Sequence, residues 1–164
     1  MRRFKQQLPD AEAQQILTRA TGGVLSLVDP DGAPYGVPMS FVYDGARTIY
    51  FHCAREGRKM TCLRQHDRAS FCVVAQDEIR PAEFTTYFRS VIAAGRIANV
   101  AQREEMLTAL RMLATKYSPG IDSTAEIAGG IGRVAILRLD IETLTGKEAI
   151  ELTRRRSPEQ AFDK

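Results

Sequence analysis

Apolar and polar positions alternate over much of the first third of the chain, and compact turn signals interrupt the alternation. Asp29-Pro30-Asp31-Gly32 is one such turn and Asp44-Gly45 is another. A parallel crossover needs about a dozen or more residues, so extended segments joined by turns this short are antiparallel. The pattern predicts a helix over 10–20, followed by antiparallel strands over 24–28, 35–43 and 48–52.

The remainder of the chain adds three strands and two helices. A short helix is predicted over 58–66, and a longer one over 101–117 has an apolar stripe at helical spacing that is typical of core packing. The further predicted strands cover 69–75, 85–98 and 134–141. Six strands with short connections and three helices predict a mainly β (α+β) protein, a six-stranded antiparallel barrel, closed or partly closed, with flanking helices.

Composition is that of one ordinary globular domain. The 164 residues are 44% apolar and 26% charged, and no repeat or linker divides them. We assign residues 1–150 to the barrel domain and residues 151–164 to a polar tail, whose Arg154-Arg155-Arg156 run is expected to be solvated. The net charge of +3 is spread thinly, so nucleic acid is not expected as a partner.

Neither a membrane segment nor a disulfide framework is expected from the sequence. No apolar run approaches the roughly 20 residues of a spanning helix. Three cysteines, Cys53, Cys62 and Cys72, lie nine and ten residues apart, which matches no metal-binding knuckle and leaves one without a disulfide partner. We therefore expect a cytoplasmic protein with reduced thiols and no metal.

Two adjacent cations stand where a helix should disfavour them. Arg58 and Lys59 fall in the first turn of the predicted second helix, whose free N–H groups already make that end positive. An anion such as a phosphate would offset this charge, and Gly57 would allow it to approach the backbone. Alternatively, both side chains bend into solvent, or Glu56 neutralises one of them.

His52 is the histidine with a candidate functional role. It alternates with Ile49 and Phe51, so it should face away from the core if that apolar pair faces inward. An isolated histidine on a strand is more often structural than catalytic, and the sequence assigns no acidic partner to this one.

Three segments taken together resemble the pyridoxamine 5'-phosphate oxidase-like flavoproteins, and among these the nitroimidazole-resistance (Nim-type) branch. They are residues 37–43, 49–59 and 84–96, and Leu144-Thr145-Gly146-Lys147-Glu148 fits the same branch. The similarity covers roughly residues 5–150. The three segments in this order are more specific to the family than any one of the segments alone.

The resemblance implies a split β-barrel that forms a homodimer with FMN at the subunit interface. The family's Arg-Lys pair, which grips the FMN phosphate, corresponds to Arg58 and Lys59. The positions that line the flavin elsewhere in the family correspond to Pro38, Met39, Ser40, His52, Cys53 and Ser90.

This chain departs from the pyridoxamine phosphate oxidases themselves. Those enzymes have a basic and polar strand where Pro38-Met39-Ser40 stands, and a Gln where Ser90 stands. Their C-terminal Arg-x-His substrate signature is not found here. Oxidation of pyridoxamine phosphate is therefore not expected. In the Nim-type branch a histidine lies near flavin and substrate, which makes His52 the catalytic candidate.

The resulting hypothesis is an FMN-dependent oxidoreductase that reduces a small organic acceptor with electrons from NAD(P)H, a nitro compound being one candidate. The flavin would carry the redox chemistry, which explains why few acid or base residues stand out. Two alternatives stay open. One is a non-catalytic flavin or ligand binder used for storage or sensing, and the other is a relative that uses haem or a deazaflavin.

Overall fold

The computed structural model describes residues 4–156. Five helices flank seven strands, and short 3-10 turns lie at Phe4–Gln6 and Pro81–Glu83. The helices are α1 (Asp10–Arg19), α2 (Arg58–Leu63), α3 (Arg103–Tyr117), α4 (Thr124–Gly130) and α5 (Ile150–Arg156). The strands are β1 (Gly22–Val28), β2 (Pro34–Ser40), β3 (Val42–Tyr43), β4 (Thr48–Ala54), β5 (Arg68–Arg80), β6 (Thr85–Asn99) and β7 (Val134–Glu148).

All seven strands belong to one sheet in the order β2-β1-β5-β6-β7-β4-β3. Every neighbouring pair is antiparallel, which confirms the arrangement predicted from the short turns. The sheet has two edges, β2 and β3, and no pairing joins them. The structure is therefore an open, split barrel rather than a closed ring.

The split lies where the sequence predicts one continuous strand. The predicted strand 35–43 is interrupted at Phe41, so that β2 and β3 lie at opposite edges of the sheet and the strand count is seven rather than six. Tyr117 of α3 occupies the break: its hydroxyl lies 2.9 Å from both the backbone N and the backbone O of Phe41. A side chain distant in sequence thus accepts a hydrogen bond from the Phe41 N–H, and its one hydroxyl proton is shared between the carbonyls of Thr21 and Phe41.

The barrel interior is filled by aromatic and aliphatic side chains. The ring of Phe71 lies edge-on to both Phe41 and Phe51, at centroid distances of 4.6 and 5.0 Å. Leu17 of α1 is fully buried in the same cluster, so α1 covers one opening of the barrel. These contacts provide the main apolar burial of the fold.

Helix α3 packs on the outer face of β4 and β7. Ala109 and Ile136 are buried there in a second, smaller apolar cluster. Beside it, Tyr50 Oη lies 3.0 Å from Glu105 Oε1. Burial raises the pKa of Tyr50 to about 12, and Glu105 contributes further. The outward face of β4 is therefore covered by a helix at Tyr50.

The C-terminal half contains elements that the sequence pattern did not predict. Helix α4 follows α3, β7 continues seven residues beyond the predicted end at 141, and α5 follows β7 directly. Arg156 at the end of α5 forms ion pairs with Glu12 and Glu148 instead of being solvated. Positions 157–164 of the predicted tail lie outside the described residues.

Within residues 4–156, no helix has the length and apolar character needed to cross a membrane.

Candidate functional site

Strand β2 connects two regions that contain most of the predicted site residues. Tyr35, near its start, contacts Arg58, and Ser40, at its end, lies beside His52. A five-residue separation in an extended strand corresponds to about 17 Å. Because β2 is an edge strand of the sheet, one side of its backbone has no strand partner among the described residues.

The first region is centred on the Arg58 guanidinium. Its Nε donates to Asp29 Oδ2 at 2.8 Å, and its Cζ lies 4.3 Å from the centroid of the Tyr35 ring. The hydrogen bond from Arg58 holds the pKa of Asp29 below its ordinary value. Arg58 therefore has an acidic partner, and that partner is Asp29 rather than the Glu56 considered from the sequence.

Asp29 also contacts a buried thiol. Cys62 Sγ lies 3.1 Å from Asp29 Oδ1, and Cys62 is fully buried. Burial first, and the neighbouring Asp29 second, raise the pKa of Cys62 to about 11. The thiol therefore stays protonated at neutral pH and donates to the carboxylate.

Helix α2 begins at a position that favours glycine. Gly57, immediately before the helix, has a φ of +116°, which lies in the region that other residues rarely adopt. Lys59 is half-buried, and within residues 4–156 it forms no ion pair. The predicted cation pair thus consists of one arginine held by an aspartate and one lysine without such a partner.

Cys53 lies in the barrel interior. Its side chain belongs to the main core cluster. Burial raises the pKa of this thiol, and the charge of nearby Lys59 acts in the opposite direction. Cys53 thus lies close to the predicted anion site, but its side chain faces the core.

The second region is a cavity of about 540 Å³ between α3, α4 and the sheet. Ser40 and His52 both line it, so the structure brings these two predicted residues together. His52 is exposed while Phe51 and Cys53 on either side are buried, which confirms its predicted outward direction.

The remaining predicted residues lie on or beside β2 and on β6. Pro38 is exposed on the same face of β2 as Ser40, whereas Met39 is half-buried against the core. Ser90 lies on β6, opposite Val74 of β5 and Lys147 of β7. Three strand spacings separate β2 from β6, a distance of about 14 Å. Ser90 is thus apart from the other site residues of the same chain.

Two features of the site were not predicted from the sequence. The sequence pattern marks Asp29 only as a turn residue, and nothing in the local pattern indicates that it pairs with Arg58. Helix α4 does have a local signal, because Asp122 and Ser123 precede it and Asp122 Oδ1 accepts from the Thr124 N–H at 2.9 Å.

In the described part of the chain, no three His, Cys, Asp or Glu side chains converge in a way that could hold a metal ion. The three cysteines are unpaired.

The fold and the site together define a class of protein. An antiparallel sheet whose edge strands follow one another in the chain without pairing is a split barrel, and here the first residue of α2, Arg58, contacts Tyr35 of one edge strand. Residues 9–148 match the family model described as pyridoxamine 5'-phosphate oxidase. The chain belongs to this family, as the resemblance in its sequence implied.

Solved structures agree with this fold. A candidate 5-nitroimidazole antibiotic resistance protein from Bacteroides thetaiotaomicron is 21% identical, with a TM-score of 0.75 over 87% of this chain and 86% of that chain. A conserved hypothetical protein from Mycobacterium tuberculosis is 19% identical, with a TM-score of 0.77 over 89% and 88%. An FAD and heme binding protein from Mycobacterium smegmatis is 21% identical, with a TM-score of 0.72 over 88% and 73%. A search of curated proteins finds no match.

Proposed function

We propose that this protein is an FMN-dependent oxidoreductase that reduces a small organic acceptor with electrons from NAD(P)H, a nitro compound being one candidate. The observation that carries the proposal is the layout along β2, with Arg58 against Tyr35 near its start and the His52 cavity at its end. An elongated cofactor with an anionic end and a flat ring suits such a layout. Structural relatives described as FAD binding add support.

The residues near the start of β2 fit the phosphate of FMN. Arg58 is only partly engaged by Asp29, since its hydrogen bonds to that carboxylate use Nε and Nη2, and its side chain is 56% exposed. Lys59 adds a second positive charge beside it in the chain. A guanidinium fork and an ammonium together suit the phosphate oxygens. In this proposal Arg58 and Lys59 supply affinity for the cofactor.

The rest of the strand fits the ring system. The unpaired edge of β2 has backbone N–H and C=O groups that can hydrogen-bond to a polar ring edge. Bound FMN would supply the electron transfer. Pro38, Met39 and Ser40 would orient the ring, Cys53 would support it through the strand backbone, and the His52 imidazole would contact the acceptor in the cavity.

We also propose that the active form is a homodimer. Three apolar side chains on the outer sheet face between β2 and β6 are exposed, Val24 by 41%, Val74 by 64% and Ile92 by 45%. Ser90 lies beside Val74 on this face. Burying the face against a second copy would remove apolar surface from water, and it would let Ser90 of one subunit reach the flavin bound by the other.

Pyridoxamine phosphate is not the proposed substrate, because Pro38-Met39-Ser40 and Ser90 depart from the residues that the pyridoxamine phosphate oxidases have at these positions. We place the protein in the cytoplasm, where nicotinamide donors occur and unpaired thiols such as Cys62 stay reduced.

The absorbance spectrum of the purified protein, followed by release and identification of the chromophore, tests the cofactor. We expect the two visible bands of oxidised flavin, and FMN on release. Arg58→Ala with Lys59→Ala should weaken FMN binding at least about tenfold, because two charge-assisted contacts are lost. Lys5→Ala with Arg111→Ala removes the same charge at exposed positions away from β2 and should leave affinity unchanged.

Each alternative gives a distinct result. A Soret band would overturn FMN in favour of haem, and unchanged FMN affinity in the Arg58/Lys59 variant would overturn the phosphate assignment. A yellow protein that consumes no NADH or NADPH with quinones, nitroaromatics or oxygen would be a non-catalytic flavin binder.

A further inference from the structure

The cavity beside His52 has two helical walls built from single helix faces. On α3 the lining residues are spaced i, i+3, i+4 and i+7. The second wall consists of α4 and the residues on either side of it, and its lining residues are spaced i, i+3, i+4, i+7 and i+8. Most of these side chains are apolar. The α3 positions are Leu110, Leu113, Ala114 and Tyr117, and the second wall consists of Ser123, Glu126, Ile127, Gly130 and Ile131.

The size and surface of the cavity suit a small organic molecule. Its volume of about 540 Å³ lies within the range of about 300–1,000 Å³ typical of ligand sites. The apolar walls would bury a hydrocarbon or aromatic body, while Ser40 and His52 provide polar groups at the sheet side.

The charge of the lining has one sign. Asp122 and Glu126 line the cavity, and no Lys or Arg does so among its described lining residues. The hydrogen bond with Thr124 keeps the pKa of Asp122 below its ordinary value, so its carboxylate is ionised at neutral pH. Two carboxylates therefore stand beside an apolar space in a chain whose net charge is +3.

Other cavities of the same molecule differ in this respect. One between α1 and β5 includes Arg19 and Arg89, and one between α1 and α3 includes Arg111 and Lys116. An acidic lining is thus not a general property of this surface. Neither of these two cavities has the purely acidic set of charged residues found in the one that contains His52.

We infer that this cavity is the pocket for the reducible acceptor, and that it takes an apolar organic cation while disfavouring carboxylates and phosphate esters. Its role as an acceptor pocket rests on the proposed flavin chemistry, whereas its charge selectivity follows from the lining alone. Asp122 and Glu126 act as specificity-determining residues through attraction between opposite charges.

Calorimetric titration of the purified full-length protein with three probes of one shape tests the selectivity. The probes are 1-naphthylmethylamine as cation, 1-naphthalenemethanol as neutral molecule and 1-naphthoate as anion. At low ionic strength we expect the cation to bind about tenfold more tightly than the anion, with the alcohol between them. Added salt should reduce this difference.

Two variants and one control locate the effect. Glu126→Gln should reduce the preference for the cation about threefold, since one of two carboxylates is lost. Glu104→Gln, an equal charge change at an exposed site on α3 outside the cavity, should leave the preference unchanged. Ala114→Phe should weaken binding of all three probes, because it places a ring in the space between the two helical walls.

Equal binding of cation and anion, tighter binding of the anion, or full binding by the Ala114→Phe variant would overturn the inference. Flavin content is measured on the same samples, so the two proposals fail separately. Charge-selective binding by a protein without flavin would refute the proposed function alone, and a flavoprotein that binds the anion best would refute the inference alone.

Discussion

Glu148 and Asp29 both bind arginine, but their surroundings differ, and the loss of each pair is expected to cost a different amount of stability. Glu148 at the end of β7 is fully buried, with Arg89 Nε 3.2 Å from Oε2 and Arg156 Nη2 3.2 Å from Oε1. Asp29 in the β1–β2 turn is bonded to Arg58, whose side chain is 56% exposed. The chemical groups are the same, but only the first carboxylate is completely removed from water.

The buried carboxylate fastens separate parts of the chain. Arg89 lies on β6 and Arg156 on α5, and Arg156 also reaches Glu12 of α1. Losing the arginines would leave a buried charge without compensation, which is far more costly than losing an exposed pair. The exposed Arg58–Asp29 pair, by contrast, can exchange its partner for a ligand at little cost in stability.

The largest expected effect on stability comes from removing both arginines that pair with the buried Glu148 carboxylate. Replacing both Arg89 and Arg156 with Met should lower the free energy of unfolding by about 3–5 kcal/mol, because Glu148 remains buried without cations. For a domain of this size that corresponds to a fall in Tm of about 6–20 °C. Thermal and urea unfolding measure it, with Arg103→Met plus Arg111→Met as a control at exposed positions. A Tm equal to that of the control would contradict the view that the buried Glu148 carboxylate depends on its arginines more than the exposed Asp29 pair does.

A smaller loss should follow from changing the buried carboxylate itself. Glu148→Gln keeps the shape and removes the charge, so it should cost about 1.5–3 kcal/mol, the value of hydrogen bonds to a charged group. Arg89 and Arg156 are 38% and 27% exposed and can turn towards water. A loss larger than that of the double arginine variant would contradict the view that the buried charge, rather than the arginines, is the costly group.

The smallest effect on stability is expected at the exposed pair. Asp29→Asn should destabilise less than either change at the buried site, because water already screens the pair. The folded-state pKa of Asp29 lies below its ordinary value of 3.8, so the stabilisation is present above that pH and is lost as the pH falls through the folded-state value. Unfolding curves of both proteins between pH 2 and 7 should therefore converge at the acid end. A difference that persists in acid would show that Asp29 acts through something other than its charge.

The local sequence pattern was sufficient to predict those features that depend on residues close together in the chain. The antiparallel hairpins followed from turn residues, and the outward direction of His52 followed from alternation with Ile49 and Phe51. Helix α1 matched its predicted span to within one residue. Helix α4 was missed because its seven residues end in Gly129-Gly130, which weakens any helical pattern.

At the predicted anion site, the sequence shows the cations but not the contact that Arg58 makes in the fold. Two cations next to Gly57 at a helix start are visible in the sequence, and the structure places the first of them, Arg58, against Tyr35 of β2. The partner of Arg58 is not visible, because Asp29 is 29 residues away and only the packing of α2 against the β1–β2 turn brings the two together. The assignment of Arg58 and Lys59 to FMN stays a prediction that the reconstitution experiment tests.

By itself, the sequence determined the antiparallel character of the sheet, the family and the positions of the cations, because turn chemistry, strand alternation and an ordered set of motifs are all encoded along the chain. Only the tertiary structure decided that residues 35–43 form two strands at opposite sheet edges, that Tyr117 fills the break at Phe41, and that an acidic cavity forms beside His52. Each of these depends on side chains tens of residues apart meeting in one place. Such contacts arise from burial and from the need to satisfy backbone groups, which no local pattern expresses.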